Sequence, residues 1–173
     1  IEYFAFANGT VEAGIGVLIL GTEGDDVIRP AINTVPGAPL PSPLNDLIYG
    51  EGGNDIIDGG QGRDRMYGGQ GDDIFYVDNA NDQVFEQFNY DGGTDTVMSS
   101  ITTTLAANVE NLQLLATAGA SDGTGNALNN RMQGNEAANT LRGGDGHDQV
   151  FGMGGNDILD GGPGLNYLAG GQG

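Results

Sequence analysis

Residues 50–76 read GEGGNDIID (50–58), GGQGRDRMY (59–67) and GGQGDDIFY (68–76). The three nonapeptides share one frame. Position six is Asp55, Asp64 and Asp73, and position eight is Ile57, Met66 and Phe75. The frame extends backwards to PSPLNDLIY (41–49), with Asp46 and Ile48, and earlier still to GTEGDDVIR (21–29), with Asp26 and Ile28. Forwards it reaches VDNANDQVF (77–85), which keeps Asp82 and Val84 but has no glycine. A second block runs GNALNNRMQ (125–133), GNEAANTLR (134–142), GGDGHDQVF (143–151), GMGGNDILD (152–160) and GGPGLNYLA (161–169). There position six is Asn130, Asn139, Asp148, Asp157 and Asn166, and position eight is apolar throughout.

This spacing has a physical meaning. Glycines at positions one, two and four permit positive φ and close backbone approach. Positions seven to nine form a short strand whose middle residue points inward. One such unit cannot bury its own apolar residue, so neighbours must stack into a solenoid. The pattern predicts an all-β fold, a parallel β-roll of turn-and-strand repeats.

Stacking creates an electrostatic problem. With two repeats per coil, Asp46 faces Asp64, Asp55 faces Asp73, and Asp64 faces Asp82. Two charges ~5 Å apart at an effective dielectric of ~20 repel by roughly 3 kcal/mol. A hard cation between turns cancels this. Ca²⁺ accepts about 6–8 oxygens in tolerant geometry, whereas Mg²⁺ demands a tight octahedron. Zn²⁺ prefers Cys and His ligands. This chain has no Cys and one His.

Composition narrows the function classes. The 173 residues hold 24 acidic and 5 basic side chains, a net charge of −19, and Lys is absent. Such a surface repels phosphate backbones, which argues against nucleic acid as a partner. It also disfavours anionic membrane surfaces. No run reaches the ~18 apolar residues that span a bilayer. The absence of Cys excludes disulfides and thiolate metal sites. There is no HExxH, no GxSxG and no Gly-rich loop ending in Lys. The many acid pairs are accounted for by the repeat, so the chain is not expected to be an enzyme.

The repeats resemble the GGxGxDxUx calcium-binding nonapeptides of RTX (haemolysin-type) proteins, and 59–67 and 68–76 match at every defined position. The segments TDTVMSS (94–100), NVENLQL (108–114) and DGTGNALNN (122–130), and the opening IEYFAFANGTV (1–11), are similar to stretches that join such blocks in large secreted RTX proteins. The resemblance implies a β-roll holding several Ca²⁺ ions between turns. Its implied carboxylate ligands are Asp46, Asp55, Asp64, Asp73, Asp148 and Asp157, with Asp26 and Asp82 in looser repeats. The implied carbonyl turns are Gly50, Gly52 and Gly53; Gly59, Gly60 and Gly62; Gly68, Gly69 and Gly71; Gly143, Gly144 and Gly146; and Gly152, Gly154 and Gly155. It also implies type I secretion from a Gram-negative bacterium. The chain would stay unfolded in the low-calcium cytosol and fold outside, as a secreted, extracellular or cell-surface protein. Metal-binding energy would then be folding energy.

The chain divides into a leading strand segment (1–20), a first RTX block (21–85), a linking β segment (86–124) and a second block (125–173). Asn130 and Asn139 are read as hydrogen-bonded amide ladders. The stretch PAINTVPGAPL (30–40) is an eleven-residue half-turn or a loop, and five of the six prolines lie between Pro30 and Pro43. In the linking segment, Val84, Phe85 and Phe88 look like core, and Leu112, Leu114 and Leu115 extend it. Asp95, in an Asp-x-apolar run, is a candidate for an extra ion. Glu86 and Asp91 are read as surface charge, with a ligand role as the alternative. His147 at position five is expected to face solvent. Tyr49, Tyr67 and Tyr76 are expected to stack as a ladder, a surface suited to an extracellular glycan.

The chain is expected to be a piece of a larger secreted protein. No signal peptide leads it, and it closes at GGQG, one third into a further repeat. Two roles stay open: a structural or adhesive spacer, or an accessory folding module of a secreted enzyme or toxin whose catalytic domain lies elsewhere. Self-association through open solenoid ends is a separate expectation.

Overall fold

The computed structural model describes residues 15–87 and 93–173. The opening segment 1–11 lies outside these, apart from which Phe88 and Asp91 are also outside. Among the described residues the regular structure is β-strand, with one short 3₁₀ turn at Ala116–Ala118. Strands alternate along the chain between two walls, and the all-β parallel β-roll read from the repeat is the architecture observed.

One wall is a nine-stranded sheet. Its order from one end is Ile32–Asn33, Val27–Arg29, Ile56–Asp58, Ile74–Val77, Thr96–Ser99, Asn111–Leu114, Arg131–Gln133, Gln149–Phe151 and Tyr167–Ala169. The other wall is two separate four-stranded sheets. The first holds Ile15–Thr22, Asn45–Gly52, Arg65–Gln70 and Gln83–Phe85; the second holds Thr103–Thr104, Gly123–Thr124, Thr140–Arg142 and Ile158–Asp160.

Register follows from position eight. A one-residue slip would turn every apolar side chain outward, so the buried stripe pins the pairing. Along the nine-stranded wall, Ile28, Ile57, Phe75, Val97, Leu112, Met132, Val150 and Leu168 lie in line. Opposite, Ile19, Ile48, Met66 and Val84 do the same. Most of these side chains are fully buried; Val84 is partly covered, and Leu168, on the terminal strand of its sheet, is exposed. Gly123 stands in the apolar row because Leu112 and Leu141 already fill its space, with a Cβ there falling 2.6 Å from Leu112 Cδ2.

The departures from period have separate causes. The first coil spans 29 residues from Asp26 to Asp55, eleven more than the 18 of Asp55 to Asp73. The excess is the Pro-rich stretch, which folds out so that Ile32–Asn33 pairs antiparallel with Val27–Arg29. In the linking segment, successive coils step by 22 residues (Asp73 to Asp95), 15 (Asp95 to Glu110) and 20 (Asn111 to Arg131) before the 18-residue step returns at Arg131 to Gln149. Leu112 and Leu114 are core there, as expected, while Leu115 is half-buried and Phe85 is 38% exposed.

The aromatic ladder differs from expectation. Tyr49 stacks on Tyr67 and Tyr67 on Phe85, each pair with centroids 4.5 Å apart. Tyr76 belongs to the opposite wall, because adjacent nonapeptides alternate walls, and the Arg29 guanidinium lies over its ring.

Candidate metal centre

Position-six side chains form two ladders, one per wall. The N–H of a position-six residue typically donates to the Oδ1 of the position-six side chain one coil on, although that of Asp82 goes to the Asn79 carbonyl. Asp46 donates to Asp64, Asp55 to Asp73 and Asn130 to Asp148, all at 2.8 Å. Asp26 to Asp55, Asp64 to Asp82, Asp73 to Asp95 and Asn139 to Asp157 continue the pattern. One carboxylate oxygen per turn is thereby fixed by the backbone of its neighbour.

The other oxygen divides the turns into two kinds. In five turns Oδ2 is buried without a hydrogen-bond partner: Asp55, Asp64, Asp73, Asp148 and Asp157. Each faces the position-one glycine of its own repeat, namely Gly50, Gly59, Gly68, Gly143 and Gly152. A Cβ on Gly50 would also lie 2.6 Å from Gly68 O, one on Gly143 2.7 Å from Gly161 O, and one on Gly152 2.6 Å from Gly170 O. Carboxylate and carbonyl oxygens thus converge on a space that only glycine leaves open.

In the remaining turns that oxygen is satisfied from within. The N–H of Thr22 donates to Asp26 Oδ2 and that of Ser42 to Asp46 Oδ2, and the hydroxyls of Thr22 and Ser42 add further bonds. Asn79 N–H does the same for Asp82 Oδ2. The N–H groups of Asn126 and Asn135 donate to Asn130 Oδ1 and Asn139 Oδ1. The amide nitrogens then donate onward, Asn130 to the Val109 and Glu110 carbonyls and Asn139 to that of Ser121.

Backbone conformation at position two separates the two kinds. It is left-handed before every open carboxylate: Glu51, Gly60, Gly69, Gly144 and Met153 have φ of 77°, 76°, 118°, 102° and 79°. Thr22, Ser42, Asn126 and Asn135 have no such φ, and there the N–H caps position six. A non-glycine residue with positive φ is uncommon, so Glu51 and Met153 mark how firmly the turn imposes it. At position four, Gly53, Gly62, Gly71, Gly146 and Gly155 are left-handed as well. The position-three glycines, Gly52 and Gly154, are buried within their turns.

The open carboxylates are electrostatically costly. Burial, partly offset by the ladder N–H, pushes Asp55, Asp64 and Asp73 up to about 7, and neighbouring carboxylates push the same way. Asp95 is likewise pushed up to about 7 by burial and by Glu110. Burial raises Asp82 too. No cation of the chain answers this charge. The one ion pair among the described residues, Arg29 to Asp58 at 3.4 Å, lies elsewhere. A buried charge without a partner is expensive, so orphaned hard oxygens beside converging carbonyls fit a hard divalent cation.

Two features escaped the sequence reading. Glu86 is not surface charge: both its oxygens are buried without a well-formed hydrogen bond. Its place in the frame, one residue beyond the nonapeptide 77–85, was the available signal. His147 is exposed as expected, yet its Nδ1 accepts the N–H of Leu165 at 2.8 Å. It continues a position-five ladder in which Asn129 Oδ1 accepts the His147 N–H and Asn54 Oδ1 that of Asp72.

Comparison with known proteins adds one positive result. The family model of the RTX calcium-binding nonapeptide repeat matches in four copies, over residues 49–84, 124–159 and 145–173. No curated protein and no solved structure matches the chain.

Proposed function

Because the chain belongs to the RTX calcium-binding nonapeptide-repeat family and is a calcium-binding β-roll module, we propose that it folds and rigidifies when it meets Ca²⁺ outside the cell, as a structural or adhesive part of a secreted protein. The observation that carries this reading is the set of buried, unpartnered Oδ2 atoms at Asp55, Asp64, Asp73, Asp148 and Asp157. Stacked a coil apart without cations, these groups oppose folding; cations between turns turn the same stack into a stabilising one. Asp55, Asp64, Asp73, Asp148 and Asp157 would hold the ions with carbonyls of their glycine turns, and a bound ion supplies only charge and coordination. The chain's own residues do the rest: position eight closes the core, and the ladder N–H groups aim each carboxylate.

Low external-to-cytosolic calcium contrast would leave such a device without a switch, so the reading depends on the coils with open carboxylates being unfolded in chelator. Circular dichroism of the full chain during a calcium titration tests it, with magnesium as control. A transition to β-structure driven by calcium and not by magnesium is expected. A chain already fully folded in chelator would overturn the reading.

A further inference from the structure

The repeat frame places Glu86 at position one, 18 residues beyond Gly68. Over Gly50, Gly143 and Gly152 that place is filled by a backbone carbonyl, of Gly68, Gly161 and Gly170. Over Gly68 it is filled by a side chain: the nearest atoms to a Cβ there are Glu86 Oε1 and Asp73 Oδ2. Asp73 is 1% exposed, and its Oδ2 is unpartnered and faces this space. Neither oxygen of Glu86 has a well-formed partner, although the Gly69 and Gln87 N–H groups approach it and favour its charged form. The next coil begins after the 22-residue step, and Asp95, also 1% exposed, accepts the Asp73 N–H at 2.9 Å. One oxygen from each of Asp73, Glu86 and Asp95 lies within 4.8 Å of the others.

We propose that Asp73, Glu86 and Asp95 together form a hard-cation site in which only Asp73 comes from a full nonapeptide, and which is tighter than the sites between regular turns. It rests on the reading of the chain as a calcium-binding roll and deepens it. Three features support it. The site offers three carboxylates where a regular cradle offers one orphaned oxygen, and affinity for Ca²⁺ rises with the charge of the ligand set. The oxygens come from three successive segments, so one ion would tie the end of the first block to the linking segment where the period breaks. A groove of about 230 Å³ bordered by Tyr49, Tyr67, Phe85 and Glu86 also reaches Gly68, the glycine that Glu86 Oε1 and Asp73 Oδ2 face.

Terbium replaces calcium in oxygen sites and is sensitised here by tyrosine, since the chain has six Tyr and no Trp. Tb³⁺ is titrated into the full chain and into Glu86→Gln, with calcium-driven folding of both followed by circular dichroism. The first equivalent is expected to saturate ahead of the rest in the native chain and to bind roughly tenfold more weakly in the variant, while both fold at high calcium. Superimposable isotherms with folding intact would overturn this site and leave the calcium-roll reading standing. A native chain that neither binds nor folds would bring down both. If Glu86→Gln does not fold, the titration of the native chain decides: an isotherm with no equivalent saturating ahead of the rest would overturn the site.

Discussion

The turns at Asp64 and Asn130 hold the same position of the repeat, on opposite walls of the roll, and close in opposite ways. At Asp64 the position-two residue is left-handed, its N–H does not cap the carboxylate, and Oδ2 is left buried and unpaired. At Asn130 the position-two N–H reaches the side chain at 2.8 Å and the amide spends its own donors on Val109 and Glu110. Both Asp64 and Asn130 are at most 2% exposed. One turn is completed by protein and the other leaves an oxygen open. On the reading proposed above, a single roll contains coils that need metal and coils that do not, with Asp55, Asp64 and Asp73 in the first block and Asn130 and Asn139 opening the second.

The sharpest way to break this comparison is to remove calcium. Hydrogen exchange in chelator is expected to lose nearly all protection in the strands of Ile57, Met66 and Phe75, and to retain more in those of Met132 and Leu141. Uniform loss across both would erase the distinction between the two kinds of turn.

Acidity gives the next largest effect. Asp55, Asp64, Asp73 and Asp95 sit near 7 in the folded chain, against an ordinary value of 3.8. Folding without metal thus takes up protons. The contribution of these groups is fully present below about pH 4 and is lost as pH rises through about 7. Circular dichroism in chelator should show more β-structure at pH 5 than at pH 8. With calcium the sense reverses, because protons then compete with the ion. No gain on acidification in chelator would mean that the open carboxylates are not the source of the cost.

Exchanging one turn for the other is a smaller test. Asn130→Asp removes two donors and points a carboxylate at the Val109 and Glu110 carbonyls, each now 3.1 Å from Nδ2. It should destabilise the calcium-loaded protein by about 1–3 kcal/mol, read from denaturant midpoints. The smallest expected effect is at the surface. Tyr67→Ala breaks both stacking contacts of the first block and should cost about 0.5–1.5 kcal/mol beyond lost area, with no change in the stoichiometry of bound calcium.

Much of this was legible in the sequence, and the parts that were not have identifiable reasons. Position eight gave the core because burial tolerates only apolar side chains there, and an 18-residue period gave the partners Asp46–Asp64 and Asp55–Asp73. The 29-residue first coil was hidden because a Pro-rich stretch reads equally as a half-turn or a loop. The engaged oxygens of Asp26 and Asp46 had a signal that went unused: Thr22 and Ser42 put a hydroxyl at position two, where the open turns have Gly60, Gly69 and Gly144. Glu86 was missed because its character comes from burial and from Asp73 and Asp95 closing around it, which depends on a 22-residue coil that no repeat announces. The tyrosine ladder was misassigned only at Tyr76, where alternation of walls outweighs identity of position.

The split wall has a mechanical meaning. Among the described residues the nine-stranded sheet runs unbroken from one end of the roll to the other, while the opposite wall is interrupted between Gln83–Phe85 and Thr103–Thr104. Under tension along its axis, such a body is stiff on one side and notched on the other. Load would pass through the hydrogen bonds joining Ile74–Val77, Thr96–Ser99 and Asn111–Leu114, the strands that span the gap. The carboxylates of Asp73, Glu86 and Asp95 stand beside that notch, which makes the filling of one small site the difference between a jointed rod and a rigid one.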